Sequence, residues 1–310
     1  KLISVVVTFR NEIENLHELV DRLKKTLNKL NLEYEIIFVD DYSNDGSDEF
    51  IKKLIIENKK IKLIRLSRNF GNGPSLMCGF KKASGNYIVY LDCDLQDPPE
   101  VIEEMYHAIL ETNADIVNTK RIKRKGELIL KKISTSFAYK IINLFMKNEI
   151  IENAGDFKMY SKRALKQIIE INDQDPFTRG FPNLIGFKQL TINYVRDVRS
   201  KGSTHYSLFK SSNPYKELLR GIVSNSYFPL YLILMLSFVF FTFTLFYILI
   251  SGIDVNGMIF IFFTIIQFSL GFIGIYIKRV LDQNISNNMP IIDYQIGFDE
   301  WCKKLKFRKN

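Results

Sequence analysis

The run Tyr87-Ile88-Val89-Tyr90-Leu91 is apolar without interruption and stops abruptly at Asp92-Cys93-Asp94-Leu95-Gln96-Asp97-Pro98-Pro99. An uninterrupted apolar stretch of this length reads as a strand covered on both faces. The two prolines cannot continue a strand ladder, so the carboxylates fall at its carboxyl end. Asp92 and Asp94 alternate with apolar neighbours and leave the strand on one side. Converging oxygen ligands without a zinc-like set of His and Cys suit Mg²⁺ or Mn²⁺. An ion held by two or three protein oxygens completes its shell with substrate phosphates. An acidic turn that binds nothing is the competing reading of Asp-x-Asp taken by itself.

The preceding residues supply a frame for that strand. Leu2 to Thr8 is a continuous β-branched run, Glu35 to Val39 a second strand ending at Asp40-Asp41, and Ile61 to Leu66 a third. Between the first two, Leu16, Leu19, Val20, Leu23, Leu27 and Leu30 recur at helical spacing. A further helix is expected from about Pro74 to Ala83. Strands alternating with helices predict an open, doubly wound α/β sheet, in which ligands sit beyond the carboxyl ends of the strands. The polar groups gather at those ends: Thr8-Phe9-Arg10-Asn11-Glu12, Asp40-Asp41 and Asp92-Cys93-Asp94. The first turn contains no glycine, which excludes the dinucleotide-binding fingerprint, and no Gly-Lys-Ser/Thr phosphate loop is present. His17, His107 and His205 are scattered, as are Cys78, Cys93 and Cys302, so neither a zinc site nor a Ser-His-Asp triad is supported.

The carboxy-terminal third is of another kind. Phe228 to Ile250 carries no charge, and Met258 to Ile277 has only Gln267 as a strongly polar side chain. Each is long enough to cross a bilayer core, which takes ~20 residues. A buried helical hairpin in a water-soluble protein is the competing reading. The short connection Ser251 to Gly257 makes the two a hairpin. Lys210, Lys216 and Arg220 precede it, Lys278 and Arg279 follow it, and the loop holds only Asp254. The positive-inside rule then places the large amino-terminal region and the tail on the cytoplasmic side of the cytoplasmic membrane. The net charge of +9 gathers beside these apolar runs, which favours lipid headgroups over nucleic acid as its counterpart. Amphipathic stretches at Leu130, Ile133, Phe137 and Ile141 and at Leu218, Leu219, Ile222 and Val223 fit helices lying in the membrane interface, or packing on the α/β domain. The expected organisation is a catalytic domain over 1–202, an interface segment over 203–227, the hairpin over 228–277 and a basic tail over 278–310.

Val39-Asp40-Asp41, Arg68-Asn69-Phe70-Gly71, Ala83-Ser84-Gly85 and the Asp92 to Pro99 run together resemble the family-two glycosyltransferases. More narrowly the chain is similar to the polyprenyl-phosphate glycosyltransferases, the group with dolichol-phosphate mannose synthase and the bactoprenol glucosyltransferases. Gly155-Asp156-Phe157, Thr178-Arg179-Gly180, Arg199 with Gly202 and Tyr206, and the two-helix hairpin extend the resemblance over nearly the whole chain. The chain departs from the group's pattern at three places, one of them a pair of residues. Thr8 stands where proline is usual, Tyr42 where glycine follows the aspartate pair, and Thr204-His205 where Ser-Lys is typical.

The resemblance implies a GT-A-like fold and transfer of one sugar from a nucleotide-sugar donor to polyprenyl (undecaprenyl) phosphate, with inversion. UDP-glucose or another UDP-hexose is the expected donor. Asp40 or Asp41 would contact the base or ribose, with Thr8, Arg10 and Glu12 lining the same pocket. Asp92, Asp94 and Gln96 would hold Mg²⁺ or Mn²⁺ against the diphosphate. An ionised acceptor phosphate needs no strong general base; it needs cations that place it. Arg121 and Arg124, matching the group's paired arginines, are expected there, with Lys131 and Lys132 beside them. Asp156 would bind the sugar or orient the acceptor, and Arg179 and Arg199 would serve the sugar and diphosphate, with Lys201 a weaker candidate. Membrane lipids and further copies of the chain are the implied partners. Two other readings of the whole chain are a processive polysaccharide synthase, which typically has more spans and a Gln-x-x-Arg-Trp motif, and a membrane-anchored sugar-nucleotide binding protein without catalysis.

Overall fold

A computed structural model describes residues 1–121, 154–171, 178–195, 255–284 and 290–298, with Val239, Thr242 and Phe246. Its centre is the strand β1 (Leu2–Phe9), buried from Ile3 onward and paired in parallel with β2 (Glu33–Asp40) and β4 (Tyr87–Asp92). β3 (Ile61–Leu66) adds in parallel beyond β2. These are the apolar stretches of the sequence, β3 being interrupted by Lys62 and Arg65, and the sheet needs cover on both faces. The helices α1 (Ile13–Lys29), α2 (Ser47–Glu57) and α4 (Val101–Thr112) supply one layer, through Leu16, Leu23, Ile51, Ile102 and Met105. The other layer is α3 (Asn72–Lys82) and α5 (Lys162–Ile171), through Leu76, Phe80, Leu165 and Ile168. Burying each such side chain stabilises the fold by roughly 1.5–3 kcal/mol. Helix α3 lies so close to β1 that a β-carbon at Gly79 would stand 2.3 Å from Val6 Cγ1. Only glycine allows that approach without displacing the helix.

The sheet is the expected open α/β sheet, and it is mixed, with antiparallel strands added to the parallel centre. Among the described residues its eight strands run β7-β5-β6-β4-β1-β2-β3-β8. β5 (Ile116–Arg121) is separated from β4 by β6 (Ala154–Ser161), which is antiparallel to both, while β7 (Gln189–Tyr194) lies parallel to β5. β6 thus fills the slot between β4 and β5 against the direction of both. The far edge is closed by β8 (Ile292–Ile296), antiparallel to β3. That strand lies in the stretch read from sequence as a basic tail; its five alternating residues have room for one partner and pair with the last unpaired parallel edge. Between α5 and β7 run a 3-10 turn (Thr178–Gly180) and the short α6 (Phe181–Ile185).

Among the described residues no helix is long and apolar enough to cross a membrane. The first expected span lies outside the described residues except at Val239, Thr242 and Phe246. The second falls within α7 (Val255–Asn284), part of whose side chains are outside the description and which exposes Ile259, Phe263, Ile266 and Leu270. The expected interface helices around Leu130 and Leu218 are also outside the described residues.

Candidate functional site

The strand register brings three chain ends to one level. Thr8 stands beside Val39 on one side and Asp92 on the other, and Phe9 stands beside Asp40. The order of strands reverses between β1 and β4, the place where open α/β sheets form their ligand crevice. Beyond β4 the chain keeps strand-like alternation through the motif. Cys93, Leu95 and Asp97 are buried, whereas Asp92, Asp94 and Gln96 are half-buried on the open side. Leu95 sits at φ 58°, a left-handed backbone that a branched residue rarely adopts, and its buried side chain holds it there. The Asp94 carboxylate accepts from the Gln96 amide at 3.1 Å, which closes the turn that the prolines then end.

Asp92 is held from behind by neutral groups. The Tyr90 hydroxyl donates to its carboxylate, and Asn72 Nδ2 donates to the Tyr90 oxygen at 2.8 Å. The Thr8 hydroxyl donates to Asn72 Oδ1 at 2.6 Å and lies 3.0 Å from the Tyr90 oxygen. Continuing the β4–β6 pairing past Tyr90 and Lys158 places Asp156 opposite Asp92. The Thr178 hydroxyl donates to Asp156 at 2.6 Å and ties this wall to the 3-10 turn. Burial, followed by the charges of Asp94, Asp156 and Asp97, pushes the Asp92 carboxyl up to about 7, against the opposing hydrogen bond from Tyr90. The site therefore carries more negative charge than it can comfortably ionise.

Arg121 ends β5 beside this cluster. Its Nε donates to the Tyr194 oxygen at 3.0 Å, its other nitrogen lies 3.5 Å from Asp97, and the Tyr194 hydroxyl donates to Asp97. The guanidinium is pressed against Gly155, where an added β-carbon would lie 2.8 Å from it. Only 9% of the Arg121 side chain is exposed, so it faces the motif rather than open solvent. Lys158, two residues after Asp156 on β6, is almost wholly buried, a cation near the site that the sequence reading passed over.

The loops after β1 and β2 make the other wall. Asp40 accepts from the Ser43 amide at 2.8 Å and from Arg65 at 2.8 Å, while Asp41 accepts from the amides of Phe70 and Gly71 at 2.7 and 2.9 Å. Both aspartates are buried and engaged with protein groups, so they shape the two loops from within. Burial pushes both carboxyls up, against hydrogen bonds from these same partners. The Asn11 amide donates to Ser43 Oγ at 2.9 Å, and the Asn44 amide donates to Asn11 Oδ1 at 2.9 Å, which laces the loops together. Arg10 is exposed at their rim and lends its charge to Asp41; Glu12 accepts from Asn15 Nδ2. Tyr42 occupies φ 67°, the backbone conformation for which the group's usual glycine is suited. Arg124, Lys131, Lys132, Arg199, Lys201 and His205 lie outside the described residues, as does the side chain of Arg179.

Among the described residues no group of three or more His, Cys, Asp or Glu side chains is arranged to hold a metal ion alone. The donor set here is two carboxylates and an amide on one face of a turn. That fits a hard divalent ion whose remaining ligands are substrate oxygens. The elevated Asp92 carboxyl fits it as well, since a cation is what would relieve the crowding.

A mixed sheet of this kind, with acidic residues at the carboxyl end of its fourth strand, is the GT-A-like fold of glycosyltransferases. Among solved structures it is similar to S. aureus TarS 1–349 in complex with UDP-GlcNAc, at a TM-score of 0.51 and 20% identity over 72% of this chain and 66% of that one. It is also similar to mannosyl-3-phosphoglycerate synthase from Rubrobacter xylanophilus, at a TM-score of 0.50 and 16% identity over 71% and 72% of the two chains. The family model for glycosyl transferase family 2 matches residues 4–169, and the chain belongs to that family. The uncharacterized glycosyltransferase YkcC of Bacillus subtilis is 33% identical over 96% of this chain and 94% of its own. A prophage bactoprenol glucosyl transferase homolog of Escherichia coli K12 is 32% identical over 74% and 73% of the two chains.

Proposed function

We propose that the protein transfers one hexose from a nucleotide-diphosphate sugar to a polyprenyl monophosphate at the cytoplasmic face of a membrane. The observation that carries this reading is the Asp92 site: carboxylates crowded at the sheet's switch point, one of them raised to about 7, beside a covered arginine. Crowded carboxylates suit a metal–diphosphate ligand and disfavour a bare anion. Likeness to bactoprenol glucosyl transferases supports a polyprenyl acceptor, and UDP-glucose as first donor to try.

In this reading the loops held by Asp40 and Asp41 receive the nucleotide, and Asp156 faces the sugar. Bound by Asp92, Asp94 and Gln96, Mg²⁺ or Mn²⁺ would neutralise the charge that builds on the departing nucleoside diphosphate. An oxygen of the acceptor phosphate attacks the anomeric carbon as the bond to the diphosphate breaks. One in-line displacement inverts that centre. The acceptor is already ionised, so no side chain has to take a proton from it. Arg121 balances the charge of Asp97 and orients that side of the site, and Arg124, Lys131 and Lys132 are proposed to receive the acceptor phosphate. The acceptor's tail confines its phosphate to headgroup depth, and the two apolar segments would hold the site there with the amino-terminal domain and tail on the cytoplasmic side.

The test is one incubation of purified full-length protein with polyprenyl phosphate and a panel of UDP- and GDP-sugars, followed by mass spectrometry of the lipid. A polyprenyl phosphate heavier by one sugar supports the reading. Release of free sugar or polymer with unmodified lipid refutes it.

A further inference from the structure

Strand β8 lies beyond the second apolar segment in sequence, yet it pairs with the edge of the domain that contains the site. Its pairing sets Tyr294 directly beside Arg65. The Tyr294 hydroxyl donates to Asp48 Oδ2 at 2.7 Å. The same oxygen takes Lys52 Nζ at 2.9 Å and Arg65 at 3.1 Å. Arg65 in turn holds Asp40 at 2.8 Å and the Ser43 carbonyl at 2.8 Å. Ser43, together with Asn44, joins the β2 loop to Asn11 of the β1 loop. An unbroken set of polar contacts therefore runs from the carboxy-terminal strand to both loops of the proposed nucleotide pocket.

Competition for Arg65 gives this path a consequence. The guanidinium is shared between two carboxylates, Asp40 and Asp48, and its placement depends on how much of the Asp48 charge is satisfied elsewhere. Lys52 and Tyr294 are the other groups on that oxygen, and Lys52 also rests over the Tyr294 ring at 4.6 Å. Without the tyrosine hydroxyl, Asp48 draws harder on Arg65, and the loop from Asp40 to Ser43 loses part of its anchor.

We infer that Tyr294 is a positioning residue for the nucleotide donor, acting through Asp48 and Arg65 on the loop that begins at Asp40. The inference rests on the donor reading given above. It assigns the segment after the apolar stretches a role in donor affinity as well as in closing the sheet.

The experiment is titration of full-length wild-type, Tyr294→Phe and Asp48→Asn proteins with UDP and GDP by calorimetry, together with donor KM and kcat. Phenylalanine keeps the ring and the strand pairing and removes only the hydroxyl. Loss of a hydrogen bond to a charged group here is expected to raise the dissociation constant and the donor KM about threefold to tenfold, with kcat little moved. Asp48→Asn is expected to give the same split. Tyr294→Phe behaving as wild type while Tyr294→Ala loses affinity would mean that the residue only packs the sheet edge, and the inference fails. No binding of either nucleotide by the wild-type chain overturns the donor reading, and this inference with it.

Discussion

Tyr90 donates its phenolic hydrogen to the carboxylate of Asp92, two residues further along the same strand. The bond favours the ionised form of a carboxylate that burial and three neighbouring aspartates push the other way. Tyr90 is itself held protonated by burial and by the charge of Asp92. Replacing it with phenylalanine removes a hydrogen bond that opposes them and lifts the Asp92 carboxyl further. The acid limb of the pH–activity profile of Tyr90→Phe should move up by about one unit, so activity falls more at pH 7 than at pH 8.5. A limb that stays in place would show that Asp92 does not govern it.

Metal affinity should follow the same group. A cation on Asp92 must displace its proton, and a carboxyl at about 7 is mostly protonated at pH 6 and mostly ionised at pH 8. Mn²⁺ binding is expected to tighten roughly tenfold between those values and then level off. The sign for stability is opposite. A carboxyl raised above its unfolded value favours the metal-free fold at acid pH, and that contribution is lost as pH rises through about 7. Calorimetric titrations and melts at pH 6 and 8 check both, and flat affinity would count against Asp92 as a ligand.

Arg121 has a structural share in the site. Its removal takes the guanidinium away from Asp97, which is 1% exposed and also accepts from Tyr194. Breaking a covered ion pair from one side destabilises by on the order of 3 kcal/mol. Arg121→Ala is expected to lower the melting temperature as well as transfer, with Arg121→Lys recovering part of both. An unchanged melt would mean that the Asp97 contact contributes nothing to the fold.

Gly79→Ala tests the closeness of α3 to β1. The added methyl meets Val6 at 2.3 Å and Val39 at 3.1 Å, both in the packed centre of the sheet. Overpacking of this kind costs about 1–3 kcal/mol. Because α3 begins at Asn72, which supports Tyr90, transfer should fall along with the urea midpoint. A midpoint equal to wild type would show that the helix shifts freely.

The four parallel strands were readable because β1, β2 and β4 carry uninterrupted apolar stretches and β3 is apolar apart from Lys62 and Arg65, and the prolines after Asp97 bounded the polar end of β4. Strand β6 was not readable, since Ala154–Ser161 interleaves Gly155, Asp156 and Lys158 with its apolar residues and enters the sheet against the direction of its neighbours. Strand β8 escaped notice because five alternating residues resemble a tail until an edge is found for them. Within the site, the spacing of Asp92, Asp94 and Gln96 put three polar side chains on one face of the turn. The support behind them was hidden: Tyr90 reads as one more core aromatic, and Tyr194 lies 97 residues from the Asp97 it contacts. Tyr42 stood out as a departure from a usual glycine, and its φ of 67° is a left-handed backbone that glycine adopts without strain.

The central claim is that Asp94, with its neighbours, serves sugar transfer to a lipid phosphate through a divalent ion. The most direct measurement compares purified wild-type and Asp94→Ala proteins, with matched melts, for formation of polyprenyl-phosphate sugar with Mn²⁺ and after chelation. Product from the wild type with Mn²⁺, and none from the variant or the chelated enzyme, is the expected result. Undiminished product from Asp94→Ala, or from the chelated wild type, would contradict the account.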